Sequence, residues 1–147
     1  MPGMTPTTRR IVQAVLYEAI AVAFVGPAMA MLFTQPVGST LLLAAFMSAV
    51  ALGWNYLFNL LFERWEARQA TRGRSIWRRL AHGALFEGGL VIMLVPVMAY
   101  WLETTLLKAF IADLGILGFF FVYAVAFTWA FDRIFGLPRS ASAPCEA

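Results

Sequence analysis

Long apolar runs alternate with short polar segments along this chain of 147 residues. Four such runs occupy residues 10–33, 38–62, 79–102 and 109–131. Each run exceeds the ~20 residues that a helix needs to cross a hydrocarbon layer of ~30 Å. The runs are apolar on all sides, whereas a membrane strand would alternate apolar and polar positions over ~10 residues. The pattern predicts an all-α integral membrane protein with four transmembrane helices.

The composition excludes a soluble domain. Hydrophobic residues make up 61% of the chain, charged residues only 13%, and the mean hydropathy is +0.75. A soluble protein of this composition would expose too much apolar surface. An alternative for the first run is a cleavable signal peptide, because Arg9 and Arg10 precede it and Ala28-Met29-Ala30 resembles a cleavage site. Three further spans and an internal repeat argue against cleavage.

The positive charges predict the orientation of the helices. Lys108 is the single cation on one side of the predicted membrane. The other ten Lys and Arg residues fall on the opposite side: Arg9, Arg10, Arg64, Arg68, Arg72, Arg74, Arg78, Arg79, Arg133 and Arg139. The positive-inside rule therefore predicts cytoplasmic N and C termini. Anionic lipid head groups explain the basic middle segment better than nucleic acid does.

The second half of the chain repeats the first at an offset of 69 residues. The matched pairs include Arg10 with Arg79, Glu18 with Glu87, Pro27 with Pro96, Trp54 with Tyr123, Phe58 with Phe127, Phe62 with Phe131 and Glu63 with Asp132. Each copy contains two spans, so the two copies share one orientation and form a parallel repeat. We predict two tandem helix pairs in residues 1–66 and 76–135, a basic cytoplasmic linker in 67–75 and a disordered tail in 136–147.

Two glutamates lie at equal depth in the first helix of each copy. Glu18 follows Arg10 by eight residues and Glu87 follows Arg79 by eight, which is about 12 Å along each helix. A charge inside a bilayer is costly and often marks a transport path. Such a carboxyl group can hold a proton or pair with a cation, and this mutual exclusion is the elementary step of proton-coupled antiport. We predict Glu18 and Glu87 as proton-coupling residues; neutral glutamates that only hold helices together are the alternative.

Polar and aromatic residues of the second and fourth helices predict a substrate path. Asn55, Asn59 and Glu63 recur every four residues and share one face of helix 2. Aromatic rings near carboxylates suit flat organic cations, although lipid contact is the commoner role of such rings. The candidates for the path are Asn55, Asn59, Trp54, Tyr17, Phe86, Tyr123 and Trp129.

Histidine and cysteine usage indicates no cofactor. His82 is the single histidine, and it could donate protons at the cytoplasmic entrance or simply form an interfacial hydrogen bond. Cys145 is the single cysteine. No cluster of Cys, His and carboxylate residues in the sequence suggests a metal, and one histidine cannot supply the paired axial ligands of a membrane cytochrome. We expect neither a metal nor a cofactor.

The ordered motifs resemble those of the proteobacterial antimicrobial compound efflux (PACE) family. In the first helix of each copy, the motif residues are Arg10, Gln13, Ala14, Tyr17 and Glu18, and then Arg79, His82, Phe86, Glu87, Gly88 and Gly89. In the second helices they are Trp54, Asn55, Asn59, Phe62 and Glu63, and then Tyr123, Phe127, Thr128, Trp129, Phe131 and Asp132. The sequence departs from the family pattern at Gln13, Tyr17, Glu63, Thr128 and Phe131.

The resemblance implies a proton-driven exporter of cationic biocides in the bacterial inner membrane. Its substrates would be chlorhexidine, acriflavine-like dyes and short diamines, and its coupling residue would be Glu18. Arg10, Gln13, Glu63, Arg79, His82 and Asp132 are the motif residues expected near the cytoplasmic side. Four helices enclose little space, so we expect a homodimer. The alternative is a structural or regulatory membrane subunit; an enzyme is a distant third, because no nucleophile, base and oxyanion arrangement is apparent.

Overall fold

The computed structural model describes residues 3–70 and 75–137 of the chain. Four long helices account for nearly all of them: α1 (Pro6–Phe33), α2 (Val37–Ala67), α3 (Ile76–Trp101) and α4 (Leu106–Phe135). Each is long and apolar enough to cross a membrane. The prediction of an all-α, multi-pass membrane protein is therefore confirmed. Cys145, Arg72, Arg74, Arg139 and most of the predicted tail lie outside the described residues.

Each helix extends beyond the apolar run that predicted it. The N-terminal extensions of α1, α3 and α4 end in hydrogen-bonded caps: the side chains of Thr5, Ser75 and Thr105 each accept a hydrogen bond from a main-chain amide three residues later. Such caps satisfy amide groups that the first helical turn leaves without a partner. The extra turns carry charged residues and prolong the helices past the apolar layer, which hydropathy alone could not show.

The tandem repeat is visible in the way that α1 and α3 end. Thr34 and Glu103, which are 69 positions apart, both adopt left-handed backbone conformations, with φ of 54° and 52°. Beyond each of them a main-chain amide bonds back to the last turn, from Gln35 to Ala30 and from Thr104 to Ala99. This is the usual hydrogen-bond pattern of a helix C-terminus that reverses direction. The two helix pairs therefore share one local fold as well as a sequence pattern.

The four helices pack as two pairs, and smaller contacts join one pair to the other. α1 lies against α2 and α3 against α4, while smaller contacts join α2 to α3 and α1 to α4. We call the end of the bundle that carries the α1–α2 and α3–α4 connections the loop end, and the opposite end the terminal end. The fully buried side chains lie near the loop end, among them Leu43, Met98 and Leu102.

The outer surface of the bundle is apolar. Large side chains such as Ile92, Phe121 and Met31 are more than three quarters exposed. Exposure of these apolar side chains to water would be unfavourable, but in a bilayer they face lipid chains that are equally apolar. The polar side chains inside the bundle are therefore the ones that require a functional explanation.

Candidate functional site

A central cavity of about 380 Å³ lies between all four helices. Its walls are mostly apolar, with polar side chains contributed by every helix. These polar residues are Glu18 on α1, Ser48 and Asn55 on α2, Glu87 on α3 and Asp113 on α4. No Lys, Arg or His is among the described residues that line the cavity. The bundle core near the loop end packs Leu43 and Met98 between this cavity and that end of the molecule.

Glu18 and Glu87 face the same cavity. Counting ~1.5 Å per residue, both lie roughly 21–23 Å from the loop end of their helices, at equal depth. One carboxylate oxygen of Glu18, Oε2, is buried without a hydrogen-bond partner among the described residues. A buried acceptor without a partner is costly, because it has lost water and gained nothing in return. Its position suits a proton or a bound cation.

Asp113 is a third carboxylate of the cavity, which the sequence reasoning missed. It lies in the second turn of α4, roughly 10 Å closer to the loop end than Glu87 along the bundle. Its repeat mate is Ala44, which also lines the cavity. Comparison of the two repeats therefore does not reveal Asp113. A single acidic residue in an apolar run is nevertheless unusual, and it could have indicated a functional position.

Aromatic rings form two matching walls beside the cavity. Tyr17 packs against Tyr123 with ring centroids 4.8 Å apart, and against Phe127 at 5.2 Å. At the repeat-related position, Phe86 packs edge-on against Phe58 at 5.6 Å. Tyr17 and Phe86 line the cavity themselves, so their rings are in reach of a bound cation.

Trp54 and Tyr123 lie behind these rings and position them. The Trp54 indole donates a hydrogen bond to the carbonyl oxygen of Phe86 at 3.0 Å, and the Tyr123 hydroxyl donates one to the carbonyl oxygen of Tyr17 at 2.8 Å. Neither Trp54 nor Tyr123 lines the cavity directly. Both of these predicted path residues therefore contact the residues that do.

Asn59 and His82 form a polar junction on the terminal side of the cavity. The His82 ring nitrogen Nε2 lies 3.0 Å from the Asn59 side-chain oxygen, and the Asn59 amide also donates to Asn55. The His82 ring is held edge-on against Phe58 and Phe62, at 4.9 and 4.7 Å. Asn55 lines the cavity, so this junction connects the cavity lining to the α2–α3 contact.

The predicted cytoplasmic-side residues are spread over the terminal end of the bundle. Asp132 pairs with Arg9 at 2.7 Å and so joins α4 to α1. Arg10, Arg79 and Glu63 are exposed, and Gln13 is half-buried. These residues surround the terminal end and do not line the cavity.

Trp129 is a further path candidate that does not line the cavity. Its side chain is 64% exposed on the outer surface of α4. The Arg133 guanidinium lies 5.4 Å from the centre of its ring, one turn further along. This arrangement is typical of an interfacial tryptophan beside a basic residue.

The carboxylates do not form a compact metal site. Within residues 3–70 and 75–137, no three His, Cys, Asp or Glu side chains are grouped closely enough to hold one ion. The cavity offers instead separated carboxyl groups on apolar walls with aromatic rings, which is a suitable environment for an organic cation.

Comparisons with known proteins match the two helix pairs separately. The family model described as chlorhexidine efflux transporter matches residues 5–68 and again residues 74–137, one match for each helix pair. No solved structure matches the chain.

Three relatives are named short-chain diamines transporters. The one from Vibrio parahaemolyticus is 38% identical over 125 residues, which is 85% of this chain and 89% of the relative. The one from Acinetobacter baumannii is 37% identical over 131 residues, or 89% of this chain and 90% of the relative. The third, from Acinetobacter baylyi, is 31% identical over 131 residues, covering 89% and 92%. This chain of two tandem helix pairs belongs to the chlorhexidine efflux transporter family.

Proposed function

We propose that this efflux transporter is a proton-coupled antiporter that exports cationic organic compounds across the bacterial inner membrane. Its substrates are cationic biocides such as chlorhexidine and acriflavine-like dyes, together with short diamines. The observation that carries the proposal is the central cavity, in which carboxylates from α1, α3 and α4 meet no basic residue among the described lining.

Glu18 is the principal coupling residue in this mechanism. The Oε2 atom of Glu18 is buried without a hydrogen-bond partner among the described residues. Its burial is favourable only when a proton is bound to it or a cation lies beside it. A cation that enters from the cytoplasm displaces the proton, and a proton from outside later displaces the cation. Because one carboxylate cannot hold both, the downhill movement of protons drives the cation out.

Glu87 serves as a second acid at the same depth. It lines the cavity from α3 and faces the same space as Glu18. Tyr17 and Phe86 lie one residue before the two glutamates and contribute ring faces to the same cavity. Such faces bind cations with delocalised charge, so chemically different compounds can share the site.

The charge distribution supports a membrane orientation with cytoplasmic termini. Arg9, Arg10, Arg68, Arg78 and Arg133 all lie at the terminal end of the bundle, and Lys108 lies at the loop end. Positive residues are enriched on the cytoplasmic side of inner-membrane proteins. The cavity would then receive substrate from the cytoplasm at the terminal end. A homodimer is part of the proposal, because one four-helix bundle shields a polar cavity poorly from lipid.

Transport in proteoliposomes tests the proposal. Export of a fluorescent cation under an imposed proton gradient is measured for the wild type, Glu18→Gln and Glu87→Gln, with Glu103→Gln as the matched control. Glu103 is an exposed acid in the α3–α4 connection and lies outside the cavity. We expect loss of gradient-driven export for Glu18→Gln, a smaller loss for Glu87→Gln and wild-type export for the control.

Two outcomes would contradict the proposal. A Glu18→Gln variant that is folded and exports at the wild-type rate would exclude the coupling role. A structural or regulatory membrane subunit would be favoured instead if the wild type shows no gradient-driven export and Glu18→Gln lowers only the thermal stability.

A further inference from the structure

We propose that Asp113 is a substrate-binding residue, and that it holds one charged end of an elongated dication whose other end lies between Glu18 and Glu87. This inference rests on the proposed function and extends it to the substrate class. The first step is the position of Asp113, which lines the same cavity as the two glutamates but from a different helix and at a different depth.

The three carboxylates occupy two levels of the cavity. Glu18 and Glu87 form the level farther from the loop end, at equal distances along their helices. Asp113 forms a second level, roughly 10 Å closer to the loop end at ~1.5 Å per residue. Flexible side chains shorten the distance that a ligand must span, so a short, extended molecule with a positive charge at each end can contact both levels.

The wall between the two levels is mostly apolar, with Ser48 of α2 as a polar exception. Leu90 and Leu94 from α3, Ile116 from α4 and Val22 from α1 line it. Apolar walls are unfavourable for a hydrated ion but favourable for the hydrocarbon spacer of a diamine or a related dication. Polar ends and an apolar middle thus describe both the cavity and its expected ligand.

A compensating charge for Asp113 has to come from the ligand or from a proton. The described residues that line the cavity include no Lys, Arg or His, and the ion pair between Arg9 and Asp132 lies at the terminal end of the bundle, so neither supplies this charge. Three acids around one cavity also repel one another when ionised. A dication neutralises two of them at once, whereas a single proton or a monocation neutralises only one.

The repeat-related position reinforces the assignment. Ala44 occupies the corresponding site in the first helix pair and also lines the cavity, so the second level carries an acid on one side only. Duplication alone would have produced either two acids or none. The buried, unpartnered oxygen of Glu18 is an independent sign that the cavity is built around a positively charged ligand.

Selectivity between diamines and monoamines tests the inference. Gradient-driven transport by the full-length protein in proteoliposomes is measured with an aliphatic diamine and with the monoamine of the same chain length. In the wild type we expect the diamine to be preferred. Asp113→Asn should reduce this preference about tenfold or more, because it removes one hydrogen bond between two charged groups. Transport of the monoamine should persist.

A second variant keeps the test independent of effects on folding. Asp113→Glu retains the charge and moves it further into the cavity by one methylene group. We expect it to preserve the preference for diamines and to shift the best substrate toward shorter chains. Glu103→Gln, which alters an exposed acid outside the cavity, should leave both the preference and the best chain length unchanged.

The possible failures can be told apart. If Glu18→Gln abolishes transport but Asp113→Asn keeps the wild-type ratio of diamine to monoamine transport, Asp113 is not a binding residue and the proposed function stands. An unchanged best chain length in a folded, active Asp113→Glu variant leads to the same conclusion. If the wild type itself shows no gradient-driven transport, both the proposed function and this inference are wrong.

Discussion

The Trp54 indole nitrogen donates a hydrogen bond to the main-chain oxygen of Phe86, and this bond fixes α2 against α3 beside the cavity. At the repeat-related positions, the Tyr123 hydroxyl makes the equivalent bond to the main-chain oxygen of Tyr17 and fixes α4 against α1. Different side chains thus make the same interhelical link in each half. Both acceptors directly precede a cavity glutamate, so the links hold the segments that carry Glu18 and Glu87 beside the cavity.

Removing the Tyr123 hydroxyl should therefore destabilise the α1–α4 contact. We expect Tyr123→Phe to lower the free energy of unfolding by about 1 kcal/mol, the usual contribution of one hydrogen bond between membrane helices. Trp54→Phe should cost more, because it also removes part of a ring that packs against Phe58. Reversible unfolding in mixed micelles measures both. Equal stability of Tyr123→Phe and the wild type would show that this hydrogen bond does not hold the helices together.

Close packing at Gly89 gives a second prediction. A methyl group at Gly89 would overlap the indole ring of Trp54, whereas one at the adjacent Gly88 would meet nothing within 4 Å. We expect Gly89→Ala to destabilise the fold by roughly 1–3 kcal/mol, as overpacked positions usually do. Gly88→Ala is the matched control and should be neutral or slightly stabilising, because alanine favours helix. Thermal unfolding of both variants in detergent decides the question, and equal melting temperatures would refute it.

The ion pair between Arg9 and Asp132 gives a third prediction. Its side chains are only 18% and 26% exposed, and Arg9 also donates to the carbonyl oxygen of Gly136 and lies 5.2 Å from the centre of the Phe131 ring. We expect a double-mutant cycle of Arg9→Gln and Asp132→Asn to give a coupling energy of about 1 kcal/mol.

The neighbouring Arg10 provides the control for that cycle. Its side chain is exposed, so Arg10→Gln should change stability little and should not couple to Asp132→Asn. Unfolding in the same detergent at low and high salt would measure the energies. A coupling energy near zero for Arg9 would mean that the pair contributes nothing to joining α1 and α4.

The orientation in the membrane can be tested by cysteine labelling. In a Cys145→Ser background, single cysteines are placed at Gln69, after α2, and at Lys108, in the first turn of α4; both positions are exposed. A thiol reagent that cannot cross membranes should label position 108 from outside intact spheroplasts and position 69 only in inverted vesicles. The opposite pattern would reverse the proposed orientation and with it the direction from which substrate enters.

The sequence was sufficient to predict the fold because lipid imposes a simple rule. Within a bilayer every main-chain polar group must be paired internally, so a long apolar run can only be a helix. The repeat could be recognised from pairs such as Glu18 with Glu87, since charged residues are rare inside such runs. No knowledge of packing was needed for either step.

Which side chains meet was much harder to predict. Trp129 and Tyr123 lie on the same helix, yet Tyr123 contacts Tyr17 while Trp129 is exposed on the outer surface. Both faces of a membrane helix are apolar, so hydropathy does not indicate which face points inward. Likewise Arg9 rather than its neighbour Arg10 pairs with Asp132, because the rotation of α1 decides it. Asp113 escaped notice because comparison of the repeats gives weight only to positions that match.

The acidic lining of the cavity has an electrical consequence. In the proposed mechanism, three carboxylates and no base in the described lining would let the cavity bind one dication and one proton, or three protons, without any change in its total charge. Exchange of a dication for two protons would then carry no net charge across the bilayer, and the membrane potential would neither help nor oppose it. Exchange of a monocation for two protons would be electrogenic. The chemical class of the substrate would therefore decide whether the pH difference alone, or the pH difference together with the voltage, supplies the driving force.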